Sequence, residues 1–266
     1  MKCVLRWIAA TLFALIAPHS AGAGLSGAII MHGKGEMPDR WVTEMANALR
    51  RENVIVAAPE LPWSARRLYD RSVDETDAEI DALIASLRDQ EARRVYLIGH
   101  SVSAAYALRY AARPTVTGIV AIAPVHAPEG PVYIRSFAND VRRARELIAA
   151  GRPQAVLDFL DLHWGDRRNR ITTTARAFLS YYDAAGPMNM MRNAQALRND
   201  VPVLWIVPLD ADRATRQAAL DVYQRLPHHV GTRLAEVPAD YTRSPEASVP
   251  LIVEWMRDMV ALVQTE

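Results

Sequence analysis

Short apolar runs alternate with stretches whose apolar residues recur every three or four positions. "LSGAIIMHG", "VIVAAPE", "RRVYLIGH" and "VTGIVAIAP" are near-continuous and rich in β-branched residues, so each is expected to form a strand. Between them, "PDRWVTEMANALRREN", "DETDAEIDALIASLRDQEA" and "SAAYALRYAARP" carry helical spacing, and Asp74 near the start of the second helix suits its dipole. Strands without a polar face, separated by amphipathic helices, imply a parallel sheet covered on both sides.

The alternation lapses from His126 to Asn199, where the chain is polar, Arg-rich and reads as helix-forming, with loop signals at "GRPQ", "HWGDRRN" and "AAGPMN". It then resumes with strands "VPVLWIVPLD" and "TRLAEVP" and helices "RATRQAALDVYQRL" and "SVPLIVEWMRDMVALV". The expected architecture is therefore α/β: a mostly parallel, doubly wound sheet over residues 24–266, with residues 126–199 inserted as a helical cap. Ligands of such sheets bind beyond the C-terminal ends of the strands.

With 50% hydrophobic and 23% charged residues, the composition is that of a packed globular protein. The first residues stand apart. Lys2 and Arg6, the apolar "WIAATLFALIA" and the small Ala21-Gly22-Ala23 predict a signal peptide over 1–23, with Gly24 as the first mature residue. Export to the periplasm or the medium follows, and no stable membrane span is expected after cleavage, because the apolar run is short. The one cysteine, Cys3, would leave with the leader, so neither disulfides nor cysteine catalysis is expected. Losing Lys2 and Arg6 moves the formal charge from +1 to −1, and with no basic stripe nucleic-acid binding is not expected.

Chemistry concentrates in loops that follow strands. Gly99-His100-Ser101-Val102-Ser103 leaves "RRVYLI" and opens an alanine-rich helix. A strand-to-helix turn of this kind needs small residues two positions either side of its serine, and Ser103 stands where the second glycine is usual. The turn would present the Ser101 hydroxyl outward, with the Val102 N–H able to stabilise an oxyanion. The bland alternative is that Ser101 caps the helix. In Met31-His32-Gly33-Lys34-Gly35, Gly33 and its neighbours would let backbone approach a ligand and supply a second donor. Pro38 breaks any dinucleotide-binding pattern, and no H-E-x-x-H occurs, so neither cofactor nor metal is expected.

"GHSVS" and "MHGKG" resemble the nucleophile elbow and oxyanion loop of α/β-hydrolases of the serine-hydrolase type, and the resemblance spans the mature chain. It implies Ser101 as nucleophile, the N–H groups of Val102 and Lys34 as oxyanion donors, and an acid in "PLDADR": Asp212, with Asp210 close behind, either of which could instead cap the next helix. Where the resemblance implies a histidine base after the last strand, this chain has Ala239-Asp240-Tyr241. A phenol with a pKa near ~10 is a poor base at neutral pH. His126, beyond the strand next to that of Ser101, is the candidate replacement; His32 and His100 read as loop-fixing residues, and His228 and His229 fall at the wrong end of their strand.

Two functions compete. One is an exported serine hydrolase acting on a small-molecule ester or other acyl bond, weakened by the missing histidine. The other is a non-catalytic binding protein that keeps the fold, with Trp164, Phe178, Tyr181, Tyr182, Met188, Met190 and Met191 lining an apolar pocket. A cell-envelope interaction role through Arg142, Arg143, Arg167, Arg168 and Arg170 ranks last.

Overall fold

The computed structural model describes residues 24–163 and 167–263. The expected leader, residues 1–23, and Trp164 lie outside the described residues.

Six strands form one sheet: β1 (Leu25–Met31), β2 (Val54–Ala57), β3 (Ala92–His100), β4 (Gly118–Ile122), β7 (Val203–Pro208) and β8 (Arg233–Val237). Their order is β2-β1-β3-β4-β7-β8 and every pairing is parallel. All six are the strands expected from the apolar runs. Because side chains alternate across a strand, the sheet divides its residues between two cores. Ile29, Met31, Val95, Leu97, Ile119, Ala121, Val203 and Trp205 face one side. Ala28, Ile30, Tyr96, Ile98, Val120, Ile122, Leu204 and Ile206 face the other.

Helices α1 (Trp41–Arg51) and α8 (Ser244–Val263) cover the second face. Helices α2 (Val73–Asp89), α3 (Val102–Tyr110) and α7 (Arg213–Tyr223) cover the first. Eight of the nine residues of α3 are buried, all but Arg109, as expected of a helix enclosed on every side. α2 begins with a reciprocal capping box: Ser72 accepts from the Glu75 N–H while the Glu75 carboxylate accepts from the Ser72 N–H.

The insertion departs from the expected all-helical cap. It contains α4 (Pro131–Ala149), α5 (Ala175–Tyr182) and α6 (Met190–Gln195), but also an antiparallel hairpin of β5 (Val156–His163) and β6 (Arg167–Thr174). The apolar residues of "VLDFLDLH" recur in a way that also fits a helix. Pairing with the threonine-rich "RRNRITTT" settles them as a strand, with Phe159 buried on one face and Val156 exposed. The hairpin is tied down by Asp140 of α4, whose carboxylate accepts from the buried Leu160 N–H at 2.6 Å. Phe178, Tyr181, Tyr182, Met188 and Met190, expected as candidates for a pocket wall, instead pack the insertion onto the sheet. Stacked rings of Phe159, Phe178 and Tyr182 form its centre. Among the described residues, no helix is long and apolar enough to cross a membrane.

Removing the Ser72 hydroxyl breaks the box and leaves an N–H of the first turn unmet. Ser72→Ala is expected to cost about 1 kcal/mol, read as a lower urea midpoint with unchanged slope; an unchanged midpoint would show that the box contributes nothing.

Candidate active site

β3 runs into α3 within a single residue, and that residue is Ser101. Its backbone adopts φ 58° and ψ −117°, a conformation that costs a non-glycine residue on the order of 1–3 kcal/mol. The turn is tight enough that a Cβ on Gly99 would fall 2.4 Å from the Ser103 carbonyl and 2.7 Å from the Ala104 nitrogen, so only glycine fits there. The Ser101 N–H donates to the Ile122 carbonyl at 2.9 Å, tying the turn to β4. The Ser101 side chain makes no hydrogen bond to the helix start, which disposes of the simple cap reading.

Ser103 explains its own presence in place of the usual glycine. Its hydroxyl donates to the His32 carbonyl at the end of β1, and the Trp63 indole N–H reaches both that carbonyl (2.9 Å) and the Ser103 oxygen (3.0 Å). The elbow and the loop after β1 are thereby fastened together. In that loop the Gly33 N–H donates to Glu36 and the Gly35 N–H to the Trp63 carbonyl. Among the described residues, the N–H groups of Lys34 and Val102 donate to no protein acceptor. Buried backbone donors are nearly always paired, so two unspent ones at the ends of adjacent strands suit a developing oxyanion.

The hydroxyl is not exposed as the sequence suggests. Ser101 is 5% exposed, and the Tyr241 phenol is hydrogen-bonded to it. Tyr241, from the loop after β8, thus stands beside the Ser101 hydroxyl. Burial, aided by the nearby Glu36 charge, pushes its pKa up, while the Ser101 hydrogen bond works the other way. Burial keeps it a neutral phenol and a poor base at neutral pH.

The other candidates are placed as follows. Asp212 is exposed and caps α7, accepting from Ala214 and Thr215 N–H groups, both at 3.0 Å, and from the Thr215 hydroxyl at 2.6 Å. The Thr215 hydroxyl and N–H hold its pKa below the usual carboxylate value. Asp210, also exposed, donates its N–H to the Ala239 carbonyl, two residues before Tyr241, and so stands against the last loop. His126 is 2% exposed and both its nitrogens are spent in the insertion: Nε2–H donates to the Tyr181 carbonyl at 2.8 Å, and Nδ1 faces the Tyr133 hydroxyl at 3.3 Å. Burial, with the nearby Lys34 charge, lowers its pKa to about 4. His32 is fixed in one tautomer, receiving the Leu61 N–H at Nε2 and donating from Nδ1 to the Gly33 carbonyl, and burial lowers its pKa. His229 accepts from the Gly231 N–H before β8 begins, at the opposite end of the sheet.

Several residues at the site carry no motif in the sequence. Glu36 bonds His100 and Gly33; Trp63 joins the two loops. Asp161 of β5 forms an ion pair at 2.8 Å with Lys34, their side chains 2% and 12% exposed, and also accepts from the Tyr182 hydroxyl. Lys34 further donates to the Leu162 carbonyl. The loop that holds the oxyanion donor is therefore locked to the cap. Among the described residues, no group of three or more His, Cys, Asp or Glu side chains is arranged to hold a metal.

His126 makes stability depend on pH. Its folded pKa of about 4 lies below the unfolded value of 6.5, so the unfolded chain binds the extra proton between these limits. Stability is expected to fall by about 3 kcal/mol as pH drops from 6.5 through 4. Glu36, held near 2, loses its contribution in a lower window, below 4.5. In urea titrations at pH 7 and 4.5, His126→Asn should lose part of the wild-type difference; an identical difference would show that His126 is not the titrating group.

The chain matches the alpha/beta hydrolase family over residues 19–264. No curated protein matches it significantly. Among solved structures it is similar to the monoacylglycerol lipase of Paleococcus ferrophilus, with a TM-score of 0.61 and 22% identity over 90% of this chain and 97% of that one. It is also similar to a thermostable carboxyl esterase of Bacillus coagulans in complex with glycerol (0.62, 14%, 90% and 91%). A third likeness is to Est1E of Butyrivibrio proteoclasticus bound to ferulic acid (0.59, 16%, 92% and 93%). At these identities the structures speak for the fold, and the family match covers nearly the whole sequence: the chain belongs to the alpha/beta hydrolase family.

Proposed function

We propose that this protein is an exported serine acyl hydrolase of low turnover, with Ser101 as nucleophile and a small-molecule ester or related acyl compound as substrate. The strained Ser101 backbone carries the reading, because such a conformation persists only where the surroundings enforce it, and functional sites are where it collects. The unspent Lys34 and Val102 N–H groups add the oxyanion donors. The esterases and lipases of similar fold point to the same substrate class.

Turnover is slow in this reading because Tyr241 cannot accept the serine proton and Asp212 is committed to α7. Binding and oxyanion stabilisation alone still support roughly 10³–10⁴-fold catalysis over water in a studied triad enzyme. The burial of Ser101 and the cap held by Lys34 and Asp161 favour a second reading, a protein that keeps the fold and binds without turnover.

A fluorophosphonate probe is expected to label Ser101, and Ser101→Ala to abolish the label; equal labelling of both proteins would remove Ser101 from the chemistry. Tyr241→His should raise hydrolysis of a p-nitrophenyl ester by about a hundredfold, the lower range of general-base assistance. Asp210→Asn should reverse that gain, since Asp210 adjoins the loop that would carry the new base. No gain from Tyr241→His would favour the binding reading.

Export is proposed from Lys2, Arg6, the apolar run and Ala21-Gly22-Ala23. Expressed from its full-length gene in a Gram-negative bacterium, the protein is expected in the periplasmic or extracellular fraction with Gly24 at its N-terminus. A cytoplasmic protein starting at Met1 would refute export.

A further inference from the structure

Asp161 shares a face of β5 with Phe159, two residues earlier, and the two are 1% and 0% exposed. An apolar side chain would suit that inward position. The chain instead places a carboxylate there and brings an ammonium to it from the loop after β1. Lys34 Nζ donates to Asp161 Oδ1 at 2.8 Å and to the Leu162 carbonyl, and the Tyr182 hydroxyl of α5 donates to the same Asp161 oxygen at 2.5 Å. Burial lowers the Lys34 pKa against the pull of Asp161. Taking two charges out of water costs about as much as their attraction returns, so such a pair adds little stability over apolar residues of the same size. What it does hold is the oxyanion loop.

Lys34 lies between Gly33 and Gly35, and Gly35 takes φ +70°. Glycine restrains a backbone least, so the peptide that carries the Lys34 N–H needs fixing from outside. Bonds on either side supply part of it: the Gly33 N–H donates to Glu36 Oε2 at 2.9 Å, and the Gly35 N–H to the Trp63 carbonyl at 2.8 Å. The Lys34 residue itself is fixed at the far end of its side chain, by Asp161 and the Leu162 carbonyl of the cap. The cap side of this contact is rigid in turn. The Tyr182 ring stacks on Phe178 at 4.8 Å, and Phe178 stacks on Phe159 of β5 at 4.2 Å. Phenol, carboxylate and ammonium thus run in one hydrogen-bonded line from the aromatic centre of the cap to the oxyanion loop.

We propose that Asp161 and Tyr182 of the cap are positioning residues for the oxyanion hole: they anchor the Lys34 side chain and so hold the Lys34 N–H toward the oxygen that gains charge when Ser101 attacks. The proposal rests on Ser101 being the nucleophile. Neither cap residue touches the reacting atoms; both act through Lys34. An oxyanion donor works at about 3 Å from the charged oxygen, and a misplacement of about 1 Å can cost a hundredfold in rate. The buried pair is therefore kept for the placement of one N–H between two glycines. The cap takes part in the chemical step as well as in covering the sheet.

The test is the kinetics of fluorophosphonate labelling of Ser101 in the mature protein, resolved into the binding constant of the probe and its first-order bonding rate. Lys34→Met combined with Asp161→Leu and Tyr182→Phe removes the three polar side chains together and keeps the Lys34 N–H. With no charge left unpaired, this triple variant is expected to melt at or above the wild-type temperature. It should nevertheless bond the probe about a hundredfold more slowly, with the binding constant unchanged. Should it not fold, Tyr182→Phe alone, which leaves both charges in place, is expected to slow bonding about two- to tenfold, the worth of one hydrogen bond; an unchanged rate there overturns the proposal. A triple variant that bonds at the wild-type rate, that is slower only through weaker probe binding, or that loses stability and rate together overturns the positioning role while leaving Ser101 as nucleophile. Absence of label on wild-type Ser101 overturns both.

Discussion

The passage of β3 into α3 within one residue is the constraint on which the site depends. Nothing larger than glycine fits at position 99 with the helix backbone so close, and Ser101 takes an unfavourable conformation as a result. The cost is offset by bonds that fasten the turn on two sides: the Ser101 N–H to β4, and Ser103 and Trp63 to the end of β1. Strand order makes this arrangement available, since β3 lies between β1 and β4 in the sheet. The three loops at these strand ends must therefore be adjacent, whatever their sequences.

Around that rigid centre much of the packing is aromatic. Tyr241 packs with the core of one face of the sheet and leans on His100, while the cap presses a cluster of Phe and Tyr rings onto the other face. His126, lying under that cap, became a neutral fastening of α5 to α4 instead of a base. Burial decides the role of each group: it drives tyrosine pKa values up and histidine pKa values down, and both changes favour the uncharged forms.

The sheet was legible because parallel strands with both faces covered leave unbroken apolar runs, and all six appear as such. The elbow was legible because its glycine requirement is steric and local. The hairpin of the cap was not, since Val156, Leu157, Phe159, Leu160 and Leu162 satisfy a helical repeat until β6 pairs with them. Asp212 and Asp210 could not be told apart, because a carboxylate three residues before a threonine reads equally as an acid or as a cap. That Tyr241 follows the last strand was visible in the sequence; that it meets the Ser101 hydroxyl was not. Glu36 and Asp161 lay beyond sequence reasoning, as their partners are 64 and 127 residues distant.

Lys34 is the only lysine after Lys2, and it is buried against Asp161. Every other cationic side chain of the folded part, histidines aside, is a guanidinium. A protease that cuts only after lysine therefore meets a single peptide bond between residue 24 and the C-terminus, and the side chain it must read is held against Asp161 of the cap. Cleavage between Lys34 and Gly35 would therefore require the Lys34 ammonium to leave Asp161 and the Leu162 carbonyl.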